Sequence, residues 1–501
     1  MHNRILFLVS MKKLFLLSAL LLSNAAYNFL SAQTSILYAT TLNGGVNGTG
    51  AIVSYNLNTR TETLEWSFGN GNDGKSPYGT MVYDTLTGLL LGTTKDGGDS
   101  NRGTIFAFDT LTKTDTVLWS FKGGVGDGAL PYGNPVYNPV NHQYYIMTGI
   151  GGAYGTGTIV SYNLTTHTEA LVWSFGSNNG VEEPIGDLWF DRRDSLFYGL
   201  IYMGGGPGVG GIVSFNPVKD TAITLFQFNG TNGRNPWAGF VYNSADSLLY
   251  GTTLEGGSSP TKGTIISFNT HTNVEKVVWN FGSDSYGFGP EGNLAYYPEN
   301  GLYYLVTTDG GTHSGGTLGE FNAVKDSEKL VWSFGAGTDG LVPVGTPVYN
   351  PGDSLLYLMA FMGGGNNKGA IISYKPATNS ENVIWSLGGG TDGANPQGNF
   401  TLLQKNNITT SLRQQIASAN LLTVYPNPSN GLFTISMKNE ELKMKTIAVY
   451  NVLGEQIYSA PFTIYNSQFT IDLSSNPNGS YFLRVITADG ETFTQKVSVV
   501  R

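Results

Sequence analysis

Few side chains in this 501-residue chain are equipped for chemistry, and they gather around a small set of prolines. Trp237 follows Pro236 and Glu291 follows Pro290. An indole beside a carboxylate suits a sugar: the ring stacks on an apolar face of the sugar and the carboxylate accepts hydrogen bonds from its hydroxyls. Tyr78 and Tyr132 also follow prolines, and Asn134 and Asn293 stand two residues further on in their segments, so all four would extend the same ligand-binding surface. Acid–base cleavage of a glycosidic bond instead needs two carboxyl groups facing one bond. Glu182, Glu183, Asp187 and Glu291 are the candidates for such catalytic work, with solvated loop charge as the plainer account of them.

Other chemistries are poorly provided for. The histidines, His2, His142, His167, His271 and His313, have no i,i+2 or i,i+4 companions, so no metal site is expected. Asp73, Asp127, Asp339 and Asp392 each precede glycine; calcium could use such oxygens, but Asp-Gly is first a turn signal. There is no cysteine, which removes disulfides and thiol chemistry, and no G-x-S-x-G nucleophile motif. No cofactor is expected.

What positions these residues is a repeat. The triplet W-S-F or a near variant recurs at Trp66, Trp119, Trp173, Phe226, Trp279, Trp332 and Trp385, in steps of 53 or 54 residues. Each period holds four short runs rich in Val, Ile, Tyr, Phe and Thr, parted by Gly, Asn, Asp and Pro. We label them a (as in SPYGTMVY), b (LLLGTT), c (GTIFAF) and d (TVLWSF). Four strands in about 50 residues make a propeller blade, and seven copies make a seven-bladed β-propeller over residues 36–403. The array opens in b, at residues 36–40, and closes in a, at residues 395–400. Pairing those two ends leaves no orphan edge, so residues 36–41 are expected in one sheet with residues 395–402. Strand a then lines the central channel. The strand-d tryptophans are expected to pack between neighbouring blades, whereas Trp189 and Trp237 break the repeat.

Net charge is −9, charged residues are 13% and no basic run occurs, which argues against nucleic acid or an anionic membrane surface as partner. Lys12-Lys13, an apolar run and Ser31-Ala32-Gln33 read as a signal peptide over residues 1–32, leaving no transmembrane segment in the mature chain. Residues 404–420 are polar and read as a linker. Residues 421–501 show alternation and turn spacing of a small antiparallel β-sandwich, so the chain as a whole reads as all-β.

Two resemblances follow from particular residues. LLLGTTKDGGDSNRGTIFAF, SLLYGTTLEGGSSPTKGTIISF and WSFGAGTDGLVPVG resemble the GloVer extracellular tandem repeat, which supports fold and location and implies no activity. Y-P-N-P-S-x-G from Tyr425, V-x-N-x-x-G from Val449, G-x-Y-x-x-x-V from Gly479 and K-V-S-V from Lys496 resemble the type A C-terminal sorting domain of the type IX secretion system. That resemblance implies the secretion machinery as partner of residues 421–501 and a secreted or outer-surface location. The expectation is a non-catalytic binder of glycan or another surface partner. A polysaccharide-active enzyme using channel carboxylates, and a display module without a small ligand, stay open as alternatives.

Overall fold

A computed structural model of the chain describes residues 34–176, 181–282, 286–405, 422–437, 444–451, 456–461, 468–487 and 492–500. The expected signal segment and nearly all of the expected linker lie outside these residues. The described chain is all-β, with a short 3-10 turn at Pro376–Thr378, and divides into two compact units, one of them Thr34–Gln404.

In that unit each repeat forms an antiparallel sheet in the order a–b–c–d. Strand c is buried along almost its whole length, as in Thr264–Asn269, because a neighbouring sheet covers each of its faces. Strand d, as in Val274–Asn280, alternates exposed and half-buried residues because it is outermost. Each apolar cluster draws on two consecutive repeats. One joins Leu91, Ile105 and Phe121 of one copy to Tyr144, Ile146 and Val160 of the next. The first sheet closes the array as expected: Thr34–Gly44 pairs with Ala51–Asn56 on one side and with Gly393–Pro396 and Thr401–Lys405 on the other.

The aromatic triplet divides its labour. Its last residue is the one fully buried: Phe68, Phe121, Phe175, Phe228, Phe281 and Phe334, with Leu387 in the last copy, are at most 1% exposed. Burying each such ring contributes roughly 1.5–3 kcal/mol. Their amides donate to the carbonyls of Gly50, Gly103, Gly157, Gly210, Gly263, Gly316 and Gly369, at 2.9–3.1 Å. Those glycines have positive φ, and a Cβ there would come within 3.1 Å of the strand-a proline of the next copy, such as Pro184 against Gly157. Strand start and neighbouring proline thus fit only with glycine. The tryptophans are half-buried beside these cores, between blades.

Two features differ from the sequence reading. Strand a is broken in most copies: Gly74–Pro77 is separate from Val82–Tyr83, and Gly128–Pro131 from Val136–Asn138. Strand d carries a β-bulge against strand c in every copy, placed so that Trp66 pairs with Ile52 but Leu64 with Val53. The extra residue reverses the alternation, so the residues before and after it face opposite neighbours.

In the other unit, Leu422–Tyr425, Leu432–Met437 and Gln468–Asp472 form one sheet. Gln456–Pro461, Met444–Tyr450, Gly479–Thr487 and Thr492–Val499 form a second. Phe433 and Ile435 of the first share a core with Ile447, Val449, Leu483 and Val497 of the second. The Asn427 carboxamide ties the Y-P-N-P turn to the last strand: it donates to Lys496 O at 3.0 Å and accepts from the Ser498 amide at 2.9 Å.

Candidate functional site at the channel mouth

The break in strand a builds this site. Each copy places Pro-x-Gly-x at this point of strand a, with Ala238 replacing glycine in the fourth copy. Successive segments run so close that a Cβ on Gly133 would lie 2.6 Å from Gly186 O, and one on Gly186 2.5 Å from Ala238 O. Side chains on either side of that glycine form two levels.

The inner level is a girdle. The Thr80 amide donates to Asn134 Oδ1, the Asn134 amide to Asp187 Oδ1 at 2.8 Å, and the Asn134 carboxamide to Asp187 Oδ2 at 2.7 Å. Further round, the Asn293 amide donates to Thr346 Oγ1 at 2.9 Å, that of Thr346 to Asn399 Oδ1, and that of Asn399 to Thr80 Oγ1 at 2.8 Å. Each backbone amide is thus capped by the equivalent side chain of the next copy. The chain breaks at Gly239, where a Cβ would sit 2.9 Å from the Asp187 Cβ, and Asn293 Oδ1 is left buried without a partner. Threonines of strand b pin the same segments: Thr40, Thr93 and Thr252 donate to Gly79, Gly133 and Gly292 carbonyls at 3.0–3.1 Å.

The outer level holds Tyr78, Tyr132, Ile185, Trp237, Glu291 and Gln397, lining one cavity together with Asn134, Asp187 and Asn293. Tyr78 and Tyr132 meet edge to face with centroids 5.2 Å apart, and Tyr78 reaches across the mouth to Trp237 at 6.3 Å. Tyr202 braces the far side of Trp237 at 5.3 Å, perpendicular to it. Gln397 donates to Glu291 at 3.5 Å. Burial, with Asp309 adding repulsion, pushes the Glu291 carboxyl up to about 7. Burial also raises Asp187 to about 6 against the pull of the Asn134 amide, and raises the Tyr78 phenol, with Glu291 contributing.

Of the carboxylates singled out from sequence, the fold brings Asp187 and Glu291 to this cavity. Glu182 and Glu183 stand exposed outside it, Glu183 with its amide on Thr156 O at 2.9 Å. Asp187 has both oxygens engaged by Asn134, and Asn134 spends its side chain on the girdle. Trp189 lies elsewhere, stacked on Tyr242 at 5.5 Å. Tyr202 and Asp309 were not foreseen; both come from strand b or the loop after it, which the repeat pattern does not point into the channel. The cavity measures about 60 Å³, room for a few waters and far below the ~300–1,000 Å³ of enclosed small-molecule sites. It therefore suits the end or edge of a ligand. Among the described residues no group of three or more His, Cys, Asp or Glu is arranged to hold a metal, and no helix is long and apolar enough to cross a membrane.

The Gloeobacter/Verrucomicrobia repeat matches residues 21–213, 141–353 and 188–425, and the chain belongs to that family. Residues 423–500 match the secretion system C-terminal sorting domain, which marks the protein for type IX export to the surface or the medium. Among solved structures, a putative 6-phosphogluconolactonase from Bacteroides fragilis is similar at 14% identity and a TM-score of 0.48, covering 74% of this chain and 98% of its own. One from Bacteroides uniformis has 12% identity and a TM-score of 0.46, covering 74% and 99%. A protein from Lactobacillus plantarum has 11% identity and a TM-score of 0.47, covering 74% and 100%. No curated protein matches the chain.

Proposed function

We propose that the mature protein is a seven-bladed β-propeller, carried by a signal peptide and a C-terminal β-sandwich to the cell surface or medium, where it binds the end of a glycan without cleaving it. The observation that carries this reading is the channel mouth: three aromatic rings, Tyr78, Tyr132 and Trp237, around the Glu291 carboxyl. Aromatic faces with one polar group suit a terminal sugar entering edge-on. Cleavage finds less support, because the second carboxylate at the mouth, Asp187, is held in the girdle and two carboxyl groups must act on one bond.

The test is a glycan-array screen with the mature full-length chain, followed by titration of Trp237→Ala and Glu291→Gln. Loss of at least tenfold in affinity in both, with no product released from the ligand, supports binding at the mouth. Unchanged binding in Trp237→Ala moves the function elsewhere; turnover abolished in Glu291→Gln restores the enzyme reading.

A further inference from the structure

A second grouping of aromatic and carboxyl side chains lies away from the channel, between the outermost strands of the first two repeats. The bulge in strand d creates it. Before the bulge, six of the seven copies carry an acid at the second strand position: Glu62, Asp115, Glu169, Glu275, Glu328 and Glu381, with Ala222 in the fourth. After the bulge comes the tryptophan or its replacement, Phe226. Because the extra residue reverses the alternation, the tryptophan faces the following copy and the acid the preceding one. Asp115 therefore meets the Trp66 and Asp73 of the first copy.

In five of these joins the acid is a glutamate. At this one, and no other, the acid is an aspartate, one methylene shorter. Here the joint opens into a cleft of about 570 Å³, well within the ~300–1,000 Å³ of small-molecule sites and far larger than the channel mouth. The half-buried Trp66 indole faces it, and Trp119, which packs toward the third copy, borders it at the edge of strand d. The Trp66 N–H donates to Asp73 Oδ2 at 3.1 Å, which fixes that ring. Asp73 and Asp115 hydrogen-bond to each other, and burial with this neighbour pushes Asp115 up to about 8, so the pair holds one proton at neutral pH. That proton is spent within the pair, which leaves the pair's oxygens as acceptors. Asn72, from the loop after strand d, donates to Asp99 of the next copy at 2.6 Å and forms the rim.

We propose that this cleft is a second binding site, for a neutral oligosaccharide. Indole faces match the C–H faces of sugar rings, and amide and carboxyl groups at the rim match hydroxyls. A cationic ligand fits less well, because the Lys122 ammonium already stands over the Trp119 ring at 5.9 Å. The site is independent of the channel mouth: it shares no residue with it.

Two substitutions test it with the fold preserved by precedent within the chain. Asp115→Glu installs the residue that five other copies carry and pushes the carboxyl one methylene further into the cleft; Trp119→Phe installs the residue found at Phe226. The full mature chain would be titrated by calorimetry with cellohexaose, maltohexaose and tetra-N-acetylchitotetraose. The expected result is that at least one binds, and that Asp115→Glu and Trp119→Phe each weaken it tenfold or more, both in the parent and in a Trp237→Ala background that removes the channel mouth. Binding by none of the three, or binding that survives both cleft substitutions, overturns the proposal. Loss in Trp237→Ala alone also overturns it and assigns the sugar to the channel mouth.

Discussion

The backbone amide of Asn399 donates to the hydroxyl of Thr80 at 2.8 Å across 319 residues of sequence. This bond joins the last strand a to the first and completes the inner girdle on that side. Thr80→Val keeps the shape but leaves the amide unpaired, at a cost of about 1–3 kcal/mol. Chemical denaturation of the mature chain should show that loss; a variant as stable as the parent would mean that water satisfies the amide.

Stability should fall as pH rises from acid to mildly alkaline. Burial, the first cause in every case, raises Glu62, Glu169, Glu275 and Glu381 to about 7 and Asp115 and Glu328 to about 8. An acidic neighbour from the preceding copy adds to it in four joins: Asp392 for Glu62, Asp73 for Asp115, Asp127 for Glu169 and Asp339 for Glu381. Folded carboxyls then hold protons that the unfolded chain, titrating at about 4, has released. The native state binds more protons across that window, so its advantage is complete below about pH 4 and is lost as pH passes 7 to 8. The thermal midpoint should drop between pH 5 and pH 8.5, and a Glu169→Gln, Glu381→Gln double variant should flatten the slope. A parent profile without slope would contradict the raised carboxyls.

Glu291 makes a related statement about binding. If its carboxylate accepts hydrogen bonds from a glycan at the mouth, affinity should rise as pH passes its pKa of about 7, and Glu291→Gln should remove that dependence. Titrations at pH 6 and pH 8 check this, and equal affinities at the two would detach Glu291 from the ligand.

Export should depend on the C-terminal unit and folding of the repeats should not. Deleting residues 421–501 should leave the melting transition of the repeat unit in place while the protein accumulates in the periplasm. Asn427→Ala, which removes both links to the last strand, should weaken the C-terminal unit by about 1–2 kcal/mol. Surface delivery of the truncated chain would overturn the export role of this unit.

The period and its phase were legible in the sequence because they rest on counting. The pairing of Thr34–Gly44 with Gly393–Pro396 follows from where the array starts and stops. The outer and inner levels of the channel mouth could be read off as the residues flanking one glycine. That glycine's own role was not legible, because it arises from the approach of a neighbouring backbone, as Gly186 does to Gly133. The acids of strand d were hidden for a different reason. Glu169 and Asp115 look like ordinary exposed positions of an alternating strand, and only the bulge turns them toward an acid and an indole of the preceding copy. Tyr202 and Asp309 come from segments whose path into the channel no spacing reveals.

The closing sheet also decides how this molecule would meet a mechanical load. Thr41 lies opposite Pro396 and Gly44 opposite Gly393, so the first strand and the last run antiparallel. Thr34 and Lys405 consequently emerge at the same end of their shared ladder. Tension between those two residues would part the hydrogen bonds one after another, as in a zipper, instead of shearing them all at once. The seam that joins the first strand to the last would thus yield to such pulling bond by bond, and forced unravelling would begin there.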